Sequence, residues 1–76
     1  MENLLTIIAE YLVDDPDSVS VTVTPKERST LLELRVAPAD MGKVIGRGGR
    51  IARAIRTVVK AGASRLDKSV IVEITQ

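Results

Sequence analysis

Val44-Ile45-Gly46-Arg47-Gly48-Gly49-Arg50-Ile51 is a glycine-rich, arginine-bearing stretch set between two apolar runs of helical spacing. Glycines at 46, 48 and 49 permit positive φ and remove the side chains that would hold another molecule away from the backbone. A helix beginning near Arg50 would turn its free N–H groups and the positive end of its dipole toward this turn. An anion is the expected visitor.

Downstream, the spacing predicts a helix from Arg50 to about Ala63, with Ile51, Ile55, Val58 and Val59 on one side. Arg53, Arg56 and Lys60 fall within roughly 60° of one another on the opposite side. Upstream, Ala37-Pro38-Ala39-Asp40 ends a strand and starts a short helix through Met41, Val44 and Ile45, with proline where a missing N–H is tolerated. Two runs of period two precede it. Val19, Val21 and Val23 alternate with serine and threonine, and Leu32, Leu34 and Val36 alternate with Glu33 and Arg35. The polar segment Pro25-Lys26-Glu27-Arg28-Ser29 suits a hairpin loop between them. Val70, Val72 and Ile74 form a last strand after an exit through residues 62–68.

At the start of the chain, Leu4, Leu5, Ile8, Tyr11 and Leu12 recur at helical spacing up to the turn formers Asp14-Asp15-Pro16-Asp17, which predicts a helix over 2–13. Its apolar arc, from Ile7 and Tyr11 through Leu4 and Ile8 to Leu5 and Leu12, spans about 200°, wider than the ~100° that one packed face needs. Either Ile7 and Tyr11 cover the edge of the chain's own sheet, or that flank meets a partner. The order α-β-β-α-α-β is an α+β arrangement. A helical crossover returns its strand parallel, so the second strand is expected at the centre, antiparallel to the first and parallel to the last, with three helices on one face.

Seventy-six residues suit a single domain, 1–76, with a modest core. Without cysteine there is no disulfide framework or thiolate metal site, and without histidine there is no imidazole base or ligand. The carboxylates Asp14, Asp15 and Asp17 lack the spacing of a calcium loop. No enzymatic activity, metal or cofactor is therefore expected. Apolar runs fall short of a membrane span and the first residues lack a secretory signal, so the expected location is the cytoplasm. The net charge of +1 hides a polarity: residues 1–40 hold eight acids and three bases, and residues 41–76 hold eight bases and two acids. From Met41 to Leu66 there is no acid, so a local positive field can exist on a nearly neutral chain.

Among phosphate-binding patterns, the dinucleotide fingerprint wants a small residue where Ile51 stands and a strand directly before the turn. A P-loop wants Gly-Lys-Ser/Thr where Gly49-Arg50-Ile51 stands. What fits is a helix, a Gly-x-x-Gly loop and a second helix. The stretch resembles the signature of the KH domain, a single-stranded nucleic-acid module whose loop clamps about four nucleotides of backbone. The element order resembles the type II, or prokaryotic, form, and the length resembles the small stand-alone bacterial KH proteins of the KhpA type. Sparse aromatics agree, since RNA-recognition motifs and OB folds stack bases on rings and this chain has only Tyr11.

The resemblance implies a non-catalytic single-stranded RNA-binding protein. Gly46, Arg47, Gly48 and Gly49 would face the sugar-phosphate chain, with Lys43, Arg50 and Arg53 as electrostatic support. Bases would lie in an apolar groove lined by Val44, Ile45, Ile51, Leu34 and Val36. It further implies a homodimer, pairing with a larger KH protein of the KhpB (Jag) type, and a role as RNA chaperone and post-transcriptional regulator in cell elongation and division. The alternative is a protein-interaction or dimerisation module with a vestigial nucleic-acid site.

Overall fold

A computed structural model describes residues 2–65 and 69–76. In chain order the elements are α1 (Glu2–Leu12), β1 (Ser20–Pro25), β2 (Thr30–Arg35), α2 (Met41–Ile45), α3 (Arg50–Arg65) and β3 (Val70–Thr75). Short 3-10 turns at Pro16–Ser18, Pro38–Asp40 and Arg47–Gly49 join them. This is the expected α-β-β-α-α-β order. α3 runs two residues beyond the expected end, and part of the exit expected over 62–68 lies outside the described residues.

The sheet has the order β1-β2-β3. β1 pairs antiparallel with β2, Ser20 facing Arg35 and Pro25 facing Thr30, and β2 pairs parallel with β3, Thr30 facing Val70 and Arg35 facing Thr75. β2 is thus central and β3 is an edge. The hairpin closes through the Lys26 N–H donating to the Ser29 carbonyl at 2.8 Å.

Inward-facing residues of the helices and the sheet meet in one cluster. Leu5, Leu34, Val44 and Val59 are fully buried, joined by Leu32, Val36, Ile55 and Val72. Burying each such side chain stabilises the fold by about 1.5–3 kcal/mol. Val19 and Val21 pack against this cluster from the side, whereas Val23, on the edge strand β1, remains 40% exposed. On α1, Ile7 is 53% and Tyr11 87% exposed, so neither covers the sheet edge.

One buried carboxylate joins two of the helices. Asp40, 2% exposed, does not cap its own helix; it accepts the N–H groups of Asp14 at 3.2 Å and Asp15 at 3.1 Å, just past the end of α1. Lys43 completes the cluster, pairing with Asp14 and lying 3.5 Å from Asp40. Burial favours the protonated acid, but the two N–H donors and the Lys43 ammonium outweigh it and hold the Asp40 carboxyl below the usual carboxylate range. The hydrogen bond to Asp14 raises the pKa of Lys43 against its own desolvation. The start of α2 is thereby fastened to the end of α1.

Candidate nucleic-acid interface

α2 is a five-residue helix, and the turn it feeds stands at its free end. The Gly46 N–H closes the helix on the Gly42 carbonyl at 2.9 Å, and the chain then leaves helical space with Gly46 at φ 75°, ψ 172°. That conformation is essentially restricted to glycine. A tight turn follows, in which the Gly49 N–H donates to the Gly46 carbonyl at 3.1 Å and the Arg50 N–H donates to the Arg47 carbonyl. The free amides therefore lie one turn earlier than the start of α3. Arg47 and Gly48 direct their N–H groups to no backbone acceptor among the described residues.

Gly48 takes a left-handed conformation, φ 63°, ψ 20°, and its carbonyl accepts the Arg53 Nη2–H at 3.2 Å. Arg53 reaches back from the second turn of α3 and ties down the outer edge of the loop. The carbonyl dipole is held by a cation, and the amides are left for an anion. Arg47 and Arg50 are exposed on either side. The loop can therefore offer backbone donors, the positive end of a sixteen-residue helix and guanidinium groups that have no acidic partner among the described residues to a polyanion.

Of the other expected site residues, Lys43 is engaged by Asp14 and Asp40, so its charge is largely compensated. Leu34 and Val44 are 0% and Val36 is 2% exposed. These three are core, and no base can reach them. Their place is set by the sheet and α2 closing on one another, which turns the apolar face of each element inward. Ile45 and Ile51 are half-buried. Ile51 also lines an open apolar groove of about 310 Å³ between α1 and α3, together with Ile8, Leu12, Ala54 and Val58.

The two flanks of α3 differ. On the α1 side they are apolar. On the other side Arg53 and Lys60 are exposed, and Arg56 Nε–H donates to the Val72 carbonyl at 3.2 Å, which places this basic flank beside the open edge of β3. The sequence showed the three bases on one side of a helix, but not that an unpaired strand edge would lie next to them. Among the described residues no group of histidine, cysteine or carboxylate side chains could hold a metal ion, and no helix is long and apolar enough to cross a membrane.

A Gly-x-x-Gly turn between two helices, in a β-α-α-β unit preceded by a helix and a strand, is the architecture of a type II KH domain. The family model described as "KhpA/KhpB, KH domain" matches residues 2–74. The chain is 60% identical over 74 residues to a protein of Clostridium acetobutylicum named RNA-binding protein KhpA, covering 97% of this chain and 99% of that one. Proteins of the same name in Caldanaerobacter subterraneus subsp. tengcongensis and Listeria monocytogenes are 57% identical over 74 residues and 45% identical over 76, covering 99% and 100% of those chains. No solved structure gives a significant match. The chain belongs to the KhpA/KhpB family of KH domains.

Proposed function

We propose that the chain is a non-catalytic, cytoplasmic, single-stranded RNA-binding protein. The observation that carries this reading is the exposed turn at Gly46–Gly49, whose free amides at Arg47 and Gly48 sit among Arg47, Arg50 and Arg53 with no acid nearby in sequence. Its relatives' name, RNA-binding protein KhpA, favours RNA over other polyanions. The sugar-phosphate chain lies over the turn, and the bases run along the basic flank of α3 and the edge of β3, in place of the groove over Leu34, Val36 and Val44.

One small site binds weakly, so useful affinity comes from effective concentration on a partner. The α1–α3 groove, continued by the exposed Ile7 and Tyr11, supplies an apolar surface for a second copy of the chain or a KhpB (Jag)-type KH protein. In the cell this assembly acts as an RNA chaperone and post-transcriptional regulator in the control of elongation and division, and hence of cell shape and wall organisation.

The test is single-stranded RNA binding by the wild type and by an Arg47→Asp/Gly48→Asp variant. A Cβ on Gly48 meets nothing within 4 Å, and aspartate tolerates the left-handed conformation there at a cost of about 1 kcal/mol, so the variant folds. Two carboxylates in the clamp abolish binding. Unchanged affinity would reject the loop assignment and leave a protein-interaction module, whose surface would be the same apolar flank.

A further inference from the structure

Asp40 directly precedes α2, where an acid commonly caps the helix that follows, yet its side chain makes no cap hydrogen bond. The carboxylate turns to α1 instead. It is 2% exposed, and each oxygen takes a different N–H: Oδ1 accepts from Asp14 at 3.2 Å and Oδ2 from Asp15 at 3.1 Å. Two bonds to successive amides fix an angle as well as a distance. Asp40 is itself held at its backbone, its N–H donating to the Ala37 carbonyl at 2.8 Å. Of α2 only Val44 is buried, with Met41 and Ile45 packed at the margin of the core. Apolar contact is non-directional, so it seats the helix without setting its tilt.

We propose that Asp40 is a positioning residue for RNA binding, its buried carboxylate setting the angle at which α2 presents the Gly46–Gly49 turn to the sugar-phosphate chain; the inference rests on the RNA-binding reading above. A five-residue helix is far too short to hold its own place. From Asp40 to Gly46 the helical rise amounts to about 9 Å, so a tilt of about 10° at its start carries the turn through about 1.5 Å. A hydrogen bond from the Arg47 or Gly48 amide to a phosphate oxygen does not survive such a displacement, since N–H···O distances lie within about 2.7–3.2 Å. At its far end α2 leads into Gly46, which rests against Ile51 and so keeps the turn on α3. The clamp is thus held from two sides, through Ile51 to α3 and through Asp40 to α1. Charge alone would assign Asp40 the opposite role. An acid near a polyanion site repels the ligand and compensates Lys43, so by electrostatics its loss favours RNA. The two readings differ in sign.

The experiment measures binding of a labelled single-stranded RNA octanucleotide of mixed sequence to wild type and Asp40→Asn, near neutral pH, with an osmolyte that keeps both fully folded by circular dichroism. Asparagine keeps the size and one acceptor but sets an amine against the second N–H. Affinity of the folded variant is expected to fall about tenfold, the worth of one hydrogen bond to a charged group. The amide resonances of Gly46, Gly48 and Gly49 move, while those of β1 stay in place. If the variant does not fold, hydrogen exchange in the wild type decides. By reciprocity, a latch that favours RNA is itself closed by RNA, so exchange of the Asp14 and Asp15 amides slows about tenfold in the complex while that of Lys26 in the hairpin does not. Unchanged or tighter binding by the folded variant, glycine resonances that do not move, or exchange at Asp14 and Asp15 that RNA leaves unaltered overturns the proposal while leaving RNA binding intact. Failure of the wild type to bind overturns the RNA-binding reading and this inference with it.

Discussion

Ile51 packs against the bare Cα of Gly46, so that a Cβ on that glycine would lie 2.7 Å from Ile51 Cγ1 and 3.0 Å from Ile51 Cβ. Gly46 is thus fixed twice, by its φ of 75° and by a neighbour that cannot withdraw without leaving the core margin. Gly46→Ala is expected to cost at least about 2 kcal/mol, from a glycine-only conformation and an overpacked contact together. Gly48→Asp, with open space around it and a left-handed conformation that aspartate tolerates, should cost about 1 kcal/mol. Urea unfolding of both variants, with the order reversed, would refute this division of labour.

Asp40 should make stability depend on pH in one direction. Its carboxyl is held below the usual range in the folded state, so its contribution is fully present above the unfolded pKa of about 3.9 and is lost as pH falls through the lower folded value. Asp40→Asn removes one charge-assisted acceptor and the partner of Lys43. Its melting temperature should lie below that of the wild type at pH 6, and the difference should shrink only as pH falls below about 4. A difference that does not shrink even in strong acid would show that the carboxylate's charge is irrelevant.

Arg47 in the loop and Arg53 on α3 should separate in a salt titration. With two or three phosphates engaged, log K for single-stranded RNA is expected to fall with log salt at a slope of roughly −1.5 to −2. Arg47→Ala removes a phosphate contact and lowers that slope by roughly 0.7. Arg53→Ala releases the Gly48 carbonyl, and its affinity should drop about two- to fivefold, the worth of one partly exposed hydrogen bond, with a smaller change of slope. Identical slope changes would place Arg53 on phosphate directly.

Leu34 should behave as core. Leu34→Ala is expected to destabilise the fold by about 2–5 kcal/mol, a large share of the stability of a small domain. Any loss of RNA binding should then track the unfolded fraction and recover with a stabilising osmolyte. Weakened binding by a fully folded variant would put this residue in the base groove after all.

Tyr11→Glu places a charge on the exposed flank of α1, where it touches little of its own chain. Monomer stability should change by no more than about 0.5 kcal/mol. Sedimentation should show the wild type as a dimer and the variant as a monomer. A monomeric wild type would leave the apolar flank to a different partner.

Local rules made much of this protein legible in its sequence. Alternation marked the strands, the 3.6-residue period marked the helices, and proline and glycine punctuated them, because these signals act within a few residues of chain. The crossover rule then placed β2 at the centre. The turn at Gly46–Gly49 was equally visible, since its backbone conformations and its lack of acids are properties of the stretch itself.

Tertiary structure alone decided which apolar residues were free to meet a ligand. Leu34, Val36 and Val44 carry the same side chains whether they line a groove or fill a core, and only the closure of helix on sheet buries them. It likewise decided that Lys43 would be engaged by Asp14, 29 residues away, and that Arg56 would meet the carbonyl of Val72, 16 residues away. Contacts across such separations depend on the packing of several elements at once. The glycine turn could therefore be read from the sequence, while the surface beside it, where bases would be read, could not.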